Sequence, residues 1–157
     1  MEFKFLADRP EFVPVIAKWY FDEWGSALPG VTLQQIDDRI SAMLNRDRIP
    51  VHILAMEGEE LLGVAQLKIR EMDIYPDKEH WLGGVYVAPS ARGRGLASRL
   101  VAKALELAKT FHVKTLYLQT ERFDGGLYAS LGWRPIEKVH YNGIHVLVME
   151  NRLVALS

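Results

Sequence analysis

Two arginines and two glycines alternate in the turn Arg92-Gly93-Arg94-Gly95, which joins an apolar stretch to an amphipathic one. Glycine adopts backbone conformations that side chains forbid, so several N–H groups of such a turn can converge on one point. A helix that begins at Leu96 brings its positive dipole end to the same point, and the two arginines add full charges. The pattern predicts a pyrophosphate site, with an ordinary strand–turn–helix connection as the alternative.

Hydrophobic periodicity predicts the elements that position this turn. Strands are expected at 3–7, 51–56, 61–69, 81–87, 115–120, 134–140 and 144–150, and helices at 11–24, 33–44, 96–111 and 124–131. The order β-α-α-β-β-β-α-β-α-β-β predicts an α/β protein with one mixed sheet and helices on its faces. The helical crossover after the fourth strand predicts a parallel neighbour for that strand.

The fourth strand is expected to be the centre of the sheet. The segment Trp81–Val87 carries no charge, which is typical of a strand that is buried on both faces. Its Gly83-Gly84 pair weakens a regular strand and therefore predicts a bulge or a close backbone approach by a ligand.

Turn and cap residues mark the ends of several elements. Thr32 is the predicted N-cap of the second helix and Asp124 that of the short fourth helix. Asn142-Gly143 predicts a two-residue hairpin that pairs His140 with His145. No third ligand accompanies the two histidines, so we interpret them as a cross-strand pair and predict no metal site.

Length and composition indicate a globular protein. The 157 residues suit a single domain over positions 1–157, and 49% of them are apolar. A formal charge of −1 gives no broad basic field, so nucleic acid is not an expected partner. The absence of cysteine excludes disulfides and a thiol nucleophile. The start does not resemble a signal peptide, and the longest uncharged run, Trp81–Ala91, is too short to span a membrane. No membrane association and a cytoplasmic location are expected.

The chain resembles the GCN5-related N-acetyltransferase (GNAT) family, most specifically from 85 to 133 and in element order over nearly all of its length. The motifs are Val87-x-Pro89, Arg92-x-x-Gly95-x-Ala97 and Leu127-Tyr128-x-x-Leu131-Gly132-Trp133. The resemblance implies a GNAT-type acyl-CoA N-acyltransferase fold. It also implies transfer of the acetyl group of acetyl-CoA to a primary amine, by direct attack through a tetrahedral intermediate.

The resemblance assigns roles to individual residues. The pantetheine arm of acetyl-CoA would pair with a strand backbone, where two strands splay apart, at Val85, Tyr86 and Val87. Backbone N–H groups would bind the pyrophosphate at Arg92, Gly93, Arg94, Gly95, Leu96, Ala97 and Ser98. Tyr128 matches the tyrosine that protonates the leaving thiolate. A phenol has a pKa near 10 and a thiol has one near 8.5. The phenol is therefore still protonated at neutral pH and can act as a proton donor. The alternative for Tyr128 is a half-buried helical aromatic.

The attacking amine must lose a proton, and the sequence offers three candidate bases. Glu79 and His80 enter the fourth strand, and Glu121 leaves the fifth. Each also suits a solvated surface position, so the base stays unassigned. Backbone N–H groups of the fourth strand would stabilise the oxyanion. The segment Glu121–Asp124 is shorter than in many family members and lacks their asparagine, so its contacts with the cofactor are not carried over.

The sequence defines the acceptor amine less clearly than the cofactor. The acidic loop Glu71–Glu79 would attract a cationic amine, or it serves only solubility. Phe21 and Trp24, at the edge of a predicted loop at Gly25–Gly30, are candidates to line a substrate pocket. We expect a small-molecule amine. Peptide or protein N-terminal or lysine acetylation and a non-catalytic CoA-binding sensor are the alternatives. The terminal hairpin offers an edge for self-association as a homodimer.

Two other nucleotide-binding interpretations fit poorly. A nicotinamide site would need a third glycine where this chain has Ser98, and an acidic residue earlier than Glu121. A phosphate-binding NTPase would need Gly-Lys-Ser/Thr after the glycines, which this turn lacks.

Overall fold

The computed structural model describes residues 1–25 and 29–153. Over these ranges it has seven strands and four α-helices in the predicted order, which confirms the mixed α/β architecture. The strands are β1 (Glu2–Phe5), β2 (Val51–Glu57), β3 (Glu60–Ile69), β4 (His80–Val87), β5 (Thr115–Thr120), β6 (Arg134–Tyr141) and β7 (Ile144–Arg152). The helices are α1 (Val13–Trp24), α2 (Leu33–Ser41), α3 (Leu96–Thr110) and α4 (Gly126–Ser130). Residues 26–28 of the predicted Gly25–Gly30 loop lie outside the described residues.

The strands form one sheet in the order β1-β2-β3-β4-β5-β7-β6. All neighbours are antiparallel except β4 and β5, which are parallel and joined through α3, as the crossover predicted. The β6–β7 hairpin turns at Asn142-Gly143 and pairs His140 with His145, whose rings stack 4.5 Å apart. In the two described ranges, no helix is both long enough and apolar enough to cross a membrane.

The two faces of the sheet carry separate hydrophobic clusters. Helix α3 covers one face because its small and apolar residues recur on one side, and Leu100, Ala104 and Ala108 are fully buried there. Helices α1 and α2 cover the opposite face through Ile16, Ala17 and Ile40, which pack against Leu54, Met56, Leu61 and Val64 of the sheet. Strands β3 and β4 are therefore held between helical layers, which fixes the segment that enters the glycine turn.

Strand β4 differs from the prediction of burial on both faces. Only Trp81 and Leu82 are buried, and the rest of the strand, from Gly83 to Val87, is partly exposed. The reason is that β4 and β5 share a single register position, Trp81 with Tyr117. Beyond that position the strands separate, and an open cleft replaces the neighbour that would have covered β4. The prediction was wrong for this half of the strand.

The predicted helix ends are partly confirmed. Thr32 caps α2 with a complete capping box, in which its side chain accepts from the Gln35 N–H and the Gln35 side chain accepts from the Thr32 N–H. Asp124 was predicted as the cap of α4, but the N-cap is Gly125, in a left-handed conformation. Asp124 instead accepts a hydrogen bond from the Gly126 N–H at 2.9 Å, because the turn places it one residue earlier.

Candidate active site

The turn after β4 has the geometry of an anion-binding site. Gly93 and Gly95 have φ of +81° and +73°, conformations that side chains rarely adopt. A Cβ at either glycine would meet none of the described atoms within 4 Å, so the backbone faces open space. Gly95 is the N-cap of α3 and supplies no capping side chain, which leaves the first-turn N–H groups facing the same space. A phosphate fits this cradle, which any side chain would partly fill.

A cleft of about 400 Å³ extends from this turn along β4. It brings together nine of the ten predicted cofactor-binding residues, all except Arg94: Val85, Tyr86, Val87, Arg92, Gly93, Gly95, Leu96, Ala97 and Ser98. Ala91, together with Glu23 and Trp24 of α1 and Leu127 of α4, completes the lining, so the candidate Trp24 does border the cleft, and Phe21 is not part of its lining. The cleft follows the half of β4 that pairs with β3 on one side and has no paired neighbour on the β5 side.

The two arginines of the turn differ in their contacts. The Arg92 Nε–H donates to the Val87 carbonyl oxygen at 3.0 Å, and its guanidinium lies over the Tyr86 ring, 5.4 Å from the centroid. Arg92 therefore fixes the turn against the strand end and keeps its charge at the cleft. Arg94 is not part of the cleft lining, and its guanidinium lies 3.7 Å from the Glu57 carboxylate.

Gly84 forms a bulge in β4, as the glycine pair predicted. The register passes from Val64–Tyr86 to Gln66–Gly83, which leaves one extra residue on β4. The Tyr20 hydroxyl of α1 donates to the Gly84 carbonyl oxygen at 2.8 Å, and burial raises the pKa of Tyr20, so this hydroxyl stays a donor. The bulge lies where β4 leaves β5 and reorients the backbone at the inner end of the cleft.

We expect Gly84→Ala to lower the free energy of unfolding by about 1–3 kcal/mol, and by more than Gly143→Ala, because the new residue is strained at this backbone conformation and its Cβ also collides with Tyr20. Gly84 has φ of +56°, and a Cβ there would lie 2.5 Å from the Tyr20 hydroxyl oxygen. Denaturant unfolding measures the loss. Gly143→Ala is the control, since Gly143 also has positive φ but no described heavy atom within 4 Å of an added Cβ. Equal losses in the two variants would show that the Tyr20 contact contributes nothing.

Tyr128 lies on α4 beside the cleft. Its ring packs edge-on against Trp133 at 6.1 Å, and its neighbour Leu127 lines the cleft. Burial, and to a smaller extent the negative charge of Glu71, raises the pKa of the Tyr128 hydroxyl. The phenol is therefore protonated at neutral pH, the state that a proton donor requires.

The predicted bases are at opposite ends of the sheet. Glu79 directly precedes β4 and His80 is its first residue, and their carboxylate and imidazole lie 3.8 Å apart. They line a separate depression with Asp47, Thr110 and Phe111 at the C-terminal end of α3, so they are not brought together with the glycine turn. Glu121 follows β5, and because β4 and β5 are parallel, it lies at the same sheet edge as that turn, with an exposed side chain.

Sequence reasoning did not single out Glu71. Its side chain is 16% exposed, and its Oε1 lies 2.8 Å from the Lys68 Nζ. The other carboxylates of the acidic loop reach solvent or have partners: the Tyr141 hydroxyl donates to Asp73 at 3.0 Å, and Asp77 is 76% exposed. The loop is therefore not a uniform acidic field. The available signals were Lys68, three residues earlier, and Gly83, which leaves room for the Glu71 side chain.

A strand edge that continues into a phosphate cradle suits a carrier with an amide-rich arm and a diphosphate, as in coenzyme A. The fold and cleft thus define a CoA-dependent N-acyltransferase. The chain belongs to the GNAT acetyltransferase family, whose model matches residues 13–133. Membership makes it an acetyl-CoA-dependent N-acetyltransferase. No curated protein matches the sequence significantly.

Solved structures share the fold at low sequence identity. The type Ii aminoglycoside 6′-acetyltransferase has a TM-score of 0.75 and 17% identity, with 100% of both chains covered. A ribosomal-protein-alanine N-acetyltransferase from Brucella melitensis has a TM-score of 0.77 and 22% identity, covering 98% of this chain and 100% of that one. An aminoglycoside 6′-N-acetyltransferase complexed with coenzyme A has a TM-score of 0.76 and 15% identity, covering 100% and 99%. At these identities the likeness concerns the fold alone.

Proposed function

We propose that the protein transfers the acetyl group of acetyl-CoA to a primary amine of a small molecule. The observation that carries the proposal is the continuity of the cleft. The part of β4 that β5 leaves unpaired, the glycine turn and the start of α3 line one surface, and α4 with Tyr128 borders it. Family membership supplies the donor, and the cleft supports the placement of that donor along β4.

Acetyl-CoA is bound by backbone groups more than by side chains in this proposal. Its pantetheine amides pair with Val85–Val87, whose backbone has no strand partner on the cleft side. Its pyrophosphate lies at the N-terminus of α3, with Arg92 adding charge. The bound thioester supplies an activated acetyl group at the inner end of the cleft.

The remaining groups of the site stabilise the oxyanion, protonate the leaving thiolate and admit the amine. N–H groups of β4 near the Gly84 bulge stabilise the negative charge that develops on the carbonyl oxygen. Tyr128 gives its proton to the departing thiolate, and its raised pKa keeps the phenol protonated and available as a donor at neutral pH. The amine enters from the side of α1, where Glu23 and Trp24 line the cleft.

A thiol-release assay with acetyl-CoA and a panel of acceptors tests this proposal. The panel contains simple amines, amino acids, polyamines, an aminoglycoside, and peptides with a free N-terminus or a lysine. We expect release above the background hydrolysis rate with at least one small amine, with peptides inactive. Release with peptides alone would replace the small-molecule acceptor by a peptide. Binding of acetyl-CoA without release for any acceptor would indicate a sensor.

A further inference from the structure

The Glu71 side chain folds back from the end of β3 onto the backbone of β4. A Cβ at Gly83 would lie 3.0 Å from the Glu71 Oε1 and 2.9 Å from the Lys68 Cε, so the missing side chain of Gly83 is what makes room for this pair. Gly83 directly precedes the Gly84 bulge, and β4 leaves β5 just beyond Trp81. The carboxylate therefore lies where the gap between the strands begins.

The two carboxylate oxygens of Glu71 have different environments. Oε1 accepts a hydrogen bond from the Lys68 ammonium at 2.8 Å. Oε2 is buried and has no hydrogen-bond partner in the described part of the chain. A buried carboxylate oxygen without a donor is costly, and such atoms in native proteins call for an explanation. A donor that enters the gap, such as an ammonium group, would satisfy it.

Glu71 and Tyr128 approach the gap from different directions. Tyr128 packs against the cluster beneath α3. Lys68 follows Leu67, which belongs to that same cluster, so Lys68 points to the opposite face of the sheet and holds Glu71 there. Burial raises the pKa of the Tyr128 hydroxyl, and the negative charge of Glu71 adds to this effect. A thioester in the gap would thus have a proton donor on one side and a carboxylate on the other.

We infer that Glu71 is the catalytic residue that binds the acceptor ammonium and takes its proton, and that Lys68 is the positioning residue. The inference rests on the proposed function. The ammonium gives one proton to the Glu71 Oε2, and the freed lone pair forms the C–N bond with the acetyl carbon. As the C–S bond breaks, the thiolate takes the Tyr128 proton, and the second nitrogen proton restores the phenol. Glu71 then releases its proton to solvent, which balances one ammonium consumed and one amide, one thiol and one proton formed.

Replacing Glu71 by glutamine tests the inference. We expect kcat/KM for the amine to fall by about 100-fold or more, because a general base contributes roughly 10²–10⁴. The Kd for acetyl-CoA, measured by calorimetry, should stay within about twofold of wild type, since Glu71 is not among the residues that line the cofactor cleft. Glu106→Gln, the same change at a 67% exposed position on α3, is the matched control. An E71Q rate within about twofold of wild type would overturn the inference.

A second set of variants separates catalysis from support of Lys68. If Glu71 only neutralises Lys68, the double variant Lys68→Met/Glu71→Gln should recover the activity that Glu71→Gln loses. We expect no recovery, and we expect Lys68→Met alone to lose less than Glu71→Gln. Glu71→Asp, which keeps the carboxylate, should retain more activity than Glu71→Gln and serves as the test if the glutamine variant does not fold. Recovery in the double variant, or equal activity of the aspartate and glutamine variants, would refute the role. An inactive wild type would instead refute the proposed function, and the inference with it.

Discussion

Tyr128→Phe is expected to lower kcat about 100-fold and leave the Kd for acetyl-CoA unchanged. The phenylalanine ring keeps the edge-on contact with Trp133 at 6.1 Å, so the loss reflects the hydroxyl alone. Without it, the thiolate has to take a proton from water. Steady-state kinetics at saturating amine and calorimetry with acetyl-CoA measure the two quantities. The kcat should fall, and the Kd for acetyl-CoA should stay the same.

The raised pKa of Tyr128 also predicts how kcat depends on pH. The pKa of Tyr128 is raised above the ordinary value of 10.0, so the protonated donor persists to higher pH than a free phenol. Between pH 7 and about 10, ionisation of Tyr128 should cause no loss of kcat. Tyr117→Phe is the control, because its ring packs on Trp81 at 5.5 Å and Tyr117 is not part of the cleft lining. A fully active Tyr128→Phe enzyme would exclude Tyr128 from the mechanism.

Local sequence patterns predicted the elements because each pattern has a local cause. Helix α3 was clear from apolar residues that recur at helical spacing, and Leu100 and Ala104 are indeed fully buried. The turn after β4 was clear because Gly93 and Gly95 are needed at positive φ in any fold that uses this connection. The predicted cofactor set mostly meets in one cleft for the same reason, since its members are contiguous in sequence on either side of that turn.

The failures concern contacts between segments that are distant in sequence. Burial of β4 depended on whether β5 stays beside it, and nothing within Trp81–Val87 indicates that the strands separate after one register position. Glu79 stays a predicted base: it directly precedes β4, and because a strand advances about 3.3 Å per residue, that end of β4 is far from the turn that follows the strand. The position of Glu71 could be predicted only by knowing that Gly83 of β4 lies against the Lys68 side chain of the adjacent strand β3. No spacing rule within the loop gives that contact.

The structurally similar enzymes share one fold but are named for different acceptors. They include aminoglycoside and ribosomal-protein-alanine enzymes at 15–22% identity. The acceptor of this chain therefore depends on side chains that the fold leaves free to vary. We propose Glu23 and Trp24, which line the cleft, and the Lys68–Glu71 pair as such residues. Because Lys68 offsets one negative charge, the site has less attraction for polycations than the acidic loop alone suggested.

The two arginines of the glycine turn should respond unequally to charge reversal. We expect Arg92→Glu to raise the Kd for acetyl-CoA about 10- to 100-fold, since a charge-assisted contact contributes about 1.5–3 kcal/mol. Arg92 lines the cleft, whereas Arg94 is not part of its lining and lies beside Glu57 at 3.7 Å. Arg94→Glu should therefore raise the Kd only a few-fold, through the general field of the turn. Calorimetry with acetyl-CoA compares the variants directly.

Arg92 also donates to the Val87 carbonyl oxygen, so a weaker Kd alone would not separate charge from turn geometry. Arg92→Lys keeps the charge but loses the Nε–H and its planar contact over Tyr86. If charge dominates, the lysine variant should bind nearly as well as wild type and the penalty of Arg92→Glu should shrink in high salt. If geometry dominates, both variants should bind weakly at every salt concentration. Equal Kd values for wild type and Arg92→Glu would contradict a pyrophosphate site at this turn, because reversing a charge inside an anion cradle cannot leave anion affinity unchanged.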